Sequence, residues 1–435
     1  MGKKIEWYLD FVDLEYRPRD EIIALYYFEP REGVSKEEAA GRIASESSVG
    51  TWTTLPGMPE ERIRKLMAKA FDINGNFLKV AYPLELWEEG SIPQLMTGVA
   101  GNIFGMKAVE SLKLLDVRLP ESYLEGFKGA IYGRDAPQKI FRKRHNLITS
   151  TVIKPKVGYT AEEHAEIGFQ IMRGGIDCIK DDENLTDQSF NKFEDRVRLM
   201  AKVRDKAEEE TGEVKDAFIN VTAPNLRELE RRIKLIHEYG FRYFMIDVVI
   251  SGFTAVQTAT DLAKDYEMAI HAHRAMHAAF TRKNHGISML VVAKLMKIMG
   301  VDQIHIGTVV GKLEGRKEEV VAIKEMLLRR NVDEIPHLRL DQDFHHIKGI
   351  LPVASGGLHP GILPDVFDIY NLRRDPLVIQ VGGGVLGHPD GPYAGAKAVR
   401  DAIDAYFDGV SLERKAEESP ELRRALEKWG HLKPV

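Results

Sequence analysis

Residues 176–207 read IDCIKDDENLTDQSFNKFEDRVRLMAKVRDKA and contain one strand–helix step. Residues 176–181 read as a short strand, whose side chains alternate with period 2. Phe193, Val197, Met200, Val203 and Ala207 then fall at i, i+4, i+7, i+10 and i+14, the stripe of an amphipathic helix. From about residue 130 the same rhythm recurs. It places strands at 150–155, 176–181, 217–222, 242–248, 268–273, 302–306, 350–355 and 377–381, with helical patterns between. Eight strands alternating with helices indicate an α/β fold of the (β/α)8 TIM-barrel type. A doubly wound open sheet is the competing arrangement.

The chain before that point has another rhythm. Residues 22–28 (IIALYYF) are β-branched and aromatic, hence a strand. Ser35 and Glu38 have the spacing of a capping box and open a helix to about Glu46. Residues 67–73 and 77–83 flank Asn74-Gly75, a hairpin signal. Pro93 lies near a helix start and that helix runs to about Asn102, before a strand at 112–118. The order βαββαβ indicates a ferredoxin-like α+β domain. The expected division is an N-terminal α+β domain over 1–130, the barrel over 131–410, and a short C-terminal helical tail over 411–435. Ser419 and Pro420 open the tail's last helix as N-cap and N1. The connection 330–349 is long and carries no clear pattern.

Composition narrows the class. At 435 residues, 44% hydrophobic, the chain can bury a large core. A formal net charge of −5 gives no reason to expect a nucleic-acid partner. The lone cysteine, Cys178, excludes an internal disulfide and suits a reducing cytosol. The start, Met-Gly-Lys-Lys-Ile-Glu, has no apolar signal core, and Glu6 occupies the Ser/Thr place of a myristoylation signal. Gly286 to Gly300, the most apolar run, is broken by Lys294 and Lys297, so no membrane partner is expected.

Chemistry in such barrels sits at the C-terminal ends of the strands. Those ends carry Lys154-Pro-Lys156, then Lys180, Asp182 and Glu183, then His271-Ala-His273-Arg274, His305, Ser355-Gly-Gly357, and Gly382-Gly383-Gly384. A lysine among carboxylates is usually an ion pair. In a pocket its neutral amine can take up CO2 as a carbamate, and with Asp182 and Glu183 it would then suit a hard Mg2+ ion. Glycine runs after the last two strands match the phosphate nest common in barrels, against plain tight turns as the ordinary reading. Arg274 beside His273 suits a second phosphate. Residues 307–315 (GTVVGKLEG) read as a glycine-hinged lid carrying Lys312, or as a plain surface loop. His271-x-His273 is also a metal-type pair, as in amidohydrolases, but there it precedes the bridging lysine, and here it follows. His345-His346 falls in the unassigned connection.

In this order, these strand ends resemble the large subunit of ribulose-1,5-bisphosphate carboxylase/oxygenase (RuBisCO). Glu46-Ser-Ser-Val-Gly-Thr51-Trp52, Gly101-Asn102-Ile-Phe-Gly, Gly311-Lys312-Leu-Glu-Gly and His305-Ile-Gly-Thr extend the resemblance over nearly the whole chain. The short N-terminus and the ending Glu427-Lys-Trp-Gly-His431 are similar to the archaeal type called form III. The resemblance implies carboxylation and oxygenation of ribulose-1,5-bisphosphate, with CO2 and O2 as co-substrates; the form III likeness implies nucleotide (AMP) salvage, with a full Calvin-type cycle left open, and the expected place is cytoplasmic. It implies carbamylated Lys180, Asp182 and Glu183 as Mg2+ ligands, with the carbamate as the base at C3. Lys154 would act as a general acid supported by Lys156. His273 would assist proton transfers, and Lys312 would close over CO2. Arg274, His305 and Ser355 would hold one phosphate and nearby hydroxyls. Thr51, Trp52, Gly357, Gly382 and Gly383 would hold the other. Glu46 and Asn102 would reach a partner's barrel, making a homodimer, or an oligomer of dimers, with shared sites. The resemblance leaves open a RuBisCO-like sugar-phosphate enolase or isomerase, whose relatives typically lose lid or phosphate residues. The segment before the first barrel strand, Arg142-Lys-Arg-His-Asn-Leu-Ile-Thr-Ser150, departs from the Arg-Pro-Leu approach associated with archaeal members.

Overall fold

The computed structural model describes residues 6–51, 55–57, 59–308 and 317–433. The chain forms two compact units. The first comprises Met1–Lys128, Met276–Met299 and Arg329–Ile347, and the second Gly129–Ala275, Gly300–Leu328 and Lys348–Val435.

In the first unit β1 (Ile22–Pro30), β2 (Lys69–Asn74), β3 (Phe77–Tyr82) and β4 (Val109–Arg118) form an antiparallel sheet in the order β4-β1-β3-β2. That is the ferredoxin-like order expected from βαββαβ. Asn74 pairs with Phe77, so the hairpin forms where expected, but its two turn residues are Gly75 and Asn76, one residue later than Asn74-Gly75, and Asn74 ends β2. Ser35 Oγ accepts from Glu38 N at 3.1 Å at the start of the helix Lys36–Glu46. The helix opened by Ser91 spans Ile92–Val99 and stops short of Asn102, which begins a single 3-10 turn. Two later segments complete this unit. Gly286–Ile287 adds a parallel strand to β4, and the connection once without pattern holds a short ladder, Asn331–Val332 against Gln342–Asp343.

The second unit is the barrel. Its strands are β5 (Leu147–Val152), β6 (Cys178–Lys180), β7 (Asp216–Phe218), β8 (Tyr243–Asp247), β9 (Ala269–His273), β10 (Gln303–His305), β11 (Leu351–Ser355) and β12 (Leu377–Gln380). All eight pair parallel, in the order β7-β6-β5-β12-β11-β10-β9-β8. The ring closes where Met245 N donates to Ile219 O at 2.8 Å and Val221 N donates to Met245 O at 2.9 Å. Parallel barrel strands are buried on both faces, which is why they read as short apolar runs. Ile148, Cys178, Phe218, Tyr243, Met245, Leu351, Val353 and Val378 belong to one buried cluster with Ala136, Ile140 and Phe141. β5 runs three residues earlier than the expected 150–155. Pro155 has no N–H for the ladder, and the buried Leu147-Ile148 pair takes that place. Among the described residues no helix is long and apolar enough to cross a membrane.

Candidate active site

The C-terminal ends of six barrel strands converge on one group of side chains. Lys180 ends β6 and is paired on one side with Val152 and on the other with Phe218. Its side chain is fully buried, and Nζ donates to Asp181 O at 2.7 Å while standing 4.0 Å from Glu183 Oε2. Burial lowers the Lys180 pKa, against the opposing pull of Glu183, Asp247, Asp182 and Asp181. The two carboxylates that follow are held by the lysines after β5. Lys154 Nζ donates to Asp182 Oδ2 at 2.7 Å, and Lys156 Nζ donates to Glu183 Oε1 at 2.8 Å. Burial works against the Glu183 carboxylate, but Lys180, Lys156 and His273 hold it well below the usual range.

His273, at the end of β9, is oriented by a residue that sequence reasoning passed over. Its Nδ1 bonds to Asp247 Oδ1 at 2.8 Å, and its Nε2 lies 3.7 Å from Glu183 Oε2. Asp247 N in turn donates to Thr222 Oγ1 at 3.0 Å. Desolvation, then Lys180, pushes the His273 pKa down, and Asp247 pulls it back. With Nδ1–H directed to Asp247, the neutral ring turns the Nε2 lone pair toward Glu183. The signal for Asp247 was present: a carboxylate closing the apolar run Phe-Met-Ile at a strand end.

A second relay links β9, β10 and β11. Gln303 Nε2 lies 2.7 Å from His271 Nδ1, His271 Nε2 lies 2.8 Å from His305 Nε2, and His305 Nδ1 lies 2.7 Å from Ser355 Oγ. Desolvation keeps both imidazoles well below their usual pKa, so both are neutral. With the Gln303 amide nitrogen donating, the proton order runs from Gln303 to His271, to His305, to Ser355. Ser355 Oγ is then the acceptor, and its own proton is available to a ligand. His271 therefore sits within the relay, in place of the metal-type role suggested by His-x-His.

Arg274 is 8% exposed, and among the described residues no carboxylate lies within 4.0 Å of its guanidinium. Desolvation lowers its pKa to about 10, so it remains a cation at neutral pH. Tyr370 and Glu319 act on it only from longer range, and a ligand anion would supply a close counter-charge. Gly356 and Gly357 follow β11 in the left-handed region, with φ of 110° and 70°. Gly382 and Gly383 follow β12, and a Cβ on Gly382 would stand 3.5 Å from Lys154 Cε. A Cβ on Gly384 would meet Leu358 O at 2.2 Å, so this position must be glycine for the two segments to lie together.

Lys154, Lys156, Lys180, Asp182, Glu183, His273, Arg274, His305, Ser355, Gly357, Gly382 and Gly383 thus belong to the second unit. Glu46 ends its helix exposed, Thr51 is half-buried and Asn102 is exposed, all in the first unit. Trp52, Gly311 and Lys312 lie outside the described residues.

Residues 10–123 match the ribulose bisphosphate carboxylase large chain N-terminal domain, and residues 130–429 match the catalytic domain of the same chain. A ribulose bisphosphate carboxylase from Pyrococcus abyssi is 52% identical over 437 residues, covering 99% of each sequence. A dimeric archaeal Rubisco from Hyperthermus butylicus superposes with TM-score 0.92 at 48% identity, over 98% of this chain and 100% of that one. An octameric Rubisco from Pyrococcus horikoshii gives TM-score 0.90 at 51% identity, over 98% of each chain. With both domains matched in order over nearly the full length, the chain belongs to the ribulose bisphosphate carboxylase large-chain family.

Proposed function

We propose that this chain carboxylates ribulose-1,5-bisphosphate to 3-phosphoglycerate. The observation that carries the reading is Lys180, a fully buried amine whose pKa is lowered by burial, set among carboxylates that other lysines already neutralise. Burial shifts such an amine toward its neutral form, the form that captures CO2. The donor set fits a hard divalent cation. Asp182 and Glu183 offer carboxylate oxygens, and a carbamate on Lys180 would replace a repelling ammonium with further anionic oxygens. Mg2+ held by these three residues, together with the carbamate, would supply a Lewis acid and a base for forming the enediolate from the sugar.

The remaining steps fall to the chain's own residues. Arg274 binds one phosphate as its close counter-ion, and the Ser355 hydroxyl donates to the same end of the substrate. The glycine segments after β11 and β12 present backbone N–H groups to the other phosphate. His273 Nε2 receives a proton from the attacking water while Asp247 steadies the imidazolium. Lys154, drawn to the carboxylate pair at 2.7 Å, delivers a proton to the C2 carbanion after C–C cleavage. Lys312 meets the charge that develops on CO2. The same electron-rich enediolate is open to O2, so oxygenation accompanies carboxylation.

The test is incubation with ribulose-1,5-bisphosphate, Mg2+ and labelled CO2. Labelled 3-phosphoglycerate is expected. Lys180→Ala should lower the rate by about 10²–10⁴-fold, as loss of a positioned base does. Near-normal carboxylation by Lys180→Ala would overturn the mechanism.

A further inference from the structure

The end of the barrel remote from the catalytic residues carries a second concentration of cations. Leu147 begins β5, Asp177 immediately precedes β6 and Val214 lies two residues before β7, so these residues mark the N-terminal face of the sheet. They line a cavity of about 320 Å³ together with Arg142, Lys143, Arg144, His145, Arg400 and Phe407. Barrel chemistry lies at the other face, so the established type of reaction makes no use of this cavity.

Its charges do not cancel. Asp177 is paired with Lys143. Glu213 is held by Lys215 at 2.8 Å and by Arg400 at 3.1 Å, and Asp404 lies 3.4 Å from Arg400 Nε. Each carboxylate of the lining therefore has its own cation. Arg142 and Arg144 remain, and among the described residues no carboxylate lies within 4.0 Å of either. Both side chains are exposed and both line the cavity, where each guanidinium can grip a tetrahedral oxyanion through two N–H groups. Beside them the His145 ring stacks on Phe407, with centroids 3.7 Å apart and planes 9° from parallel. Burial, then Arg144, lowers the His145 pKa, so this wall is a neutral flat surface at pH 7. The volume is at the small end for organic ligands and exceeds what a bare phosphate fills.

We propose that this cavity is a second ligand site, separate from the catalytic mouth, for a small phosphomonoester whose phosphoryl group meets Arg142 and Arg144 and whose organic part lies on the His145–Phe407 wall. The proposal does not depend on the carboxylase reading.

Phenyl phosphate and inorganic phosphate are suitable probes, titrated calorimetrically into the full chain. An Arg274→Ala background weakens one of the two phosphate positions at the catalytic mouth; the glycine segments remain, so the second site is the part of the binding that Arg142→Ala/Arg144→Ala removes. That part should amount to one equivalent per chain, and should favour phenyl phosphate over inorganic phosphate. Adding Arg142→Ala and Arg144→Ala should weaken it by about tenfold or more. Phe407→Ala should weaken phenyl phosphate and leave inorganic phosphate unchanged. In the wild-type background, Arg142→Ala/Arg144→Ala should keep carboxylation of labelled CO2, which also reports that the variant is folded. Unchanged isotherms in the double-arginine variant would overturn the proposal. So would absence of phenyl phosphate binding in the Arg274→Ala background.

Discussion

Asp181 follows the central lysine and serves a different purpose from its neighbours. Its Oδ2 accepts from Arg196 Nε at 2.9 Å and from Asn220 N at 3.0 Å, and His164 Nε2 lies 3.3 Å from Oδ1. Burial would raise this carboxyl, but Arg196, His164 and the Asn220 amide hold it at about 2. A carboxyl depressed on folding stabilises the fold above its unfolded pKa, near 3.8, and the contribution is lost as pH falls toward 2. The shift corresponds to about 2 kcal/mol. Arg196→Met would leave the carboxylate buried and unpaired. Denaturant unfolding at pH 7 should show a loss of about 3–5 kcal/mol, with acid unfolding beginning at higher pH. A variant as stable as wild type would show that the network has no net value. Lys180 runs the other way: its depressed pKa means that the neutral amine fraction rises with pH and passes one half below the ordinary 10.5. The rate of activation by CO2 and Mg2+ should therefore climb with pH with a midpoint below 10.5. A midpoint at that value would mark an ordinary, solvated lysine. At this scale the strand-end residues could be picked out because their types stand out against apolar runs. Arg196 and Arg204 could not, since helical periodicity selects apolar positions. It favoured Val203, which is half-buried, over two arginines that are buried.

The C-terminal helix Pro420–Trp429 ties down both glycine segments of the barrel mouth. Lys428 Nζ donates to Gly387 O at 2.6 Å and His388 Nε2 to Glu421 O at 2.9 Å, which secures the segment after β12. His431 Nδ1 donates to Gly361 O and His359 Nε2 to Leu432 O, each at 2.8 Å, which secures the segment after β11. His431 Nε2 also reaches Glu413 Oε1 at 2.8 Å. Donating from both nitrogens requires the protonated ring, and the Gly361 carbonyl, then Glu413, raises its pKa. A raised pKa gives a clasp fully formed below the ordinary 6.5 and lost as pH rises through the folded value. His431→Ala should raise KM for the bisphosphate by about 3–10-fold, the size of one lost hydrogen bond, with kcat little changed. An unchanged KM would show that the glycine segments hold themselves. The elements were legible to different degrees. The eight barrel strands were found because each is a buried run bounded by turn residues, although the ladder trims several to three residues. The short ladder in 331–343 escaped notice, since two-residue strands carry no periodicity.

For the whole molecule, Glu46, Thr51 and Asn102 belong to a different unit from Lys180. The related structures include a dimeric and an octameric assembly. We infer a dimer in which each chain lends its first unit to the other's barrel mouth. Mixing Asn102→Ala with Lys180→Ala under subunit exchange places both lesions in one site and leaves the other intact. Activity should return to about half a site complement per mixed dimer. Verified mixed dimers that stay inactive would place each site within one chain. The ferredoxin-like sheet order followed from βαββαβ, but no local pattern marks the distant segments that join it. Contacts made across well over a hundred residues leave no local pattern. That joining has a consequence for biosynthesis. Asp116 on β4 is fully buried; besides the adjacent Val117 N, it is held by Lys294 Nζ at 2.5 Å and Leu340 N at 2.8 Å. Both arrive on the two later segments of the first unit. When residue 128 leaves the ribosome, β4 still lacks the strand that will cover its edge, and its carboxylate has neither partner. Most of the barrel strands emerge in the interval. The part of the chain translated first therefore cannot finish folding until residue 347 is out, and a nascent-chain arrest before that point should leave it open to protease.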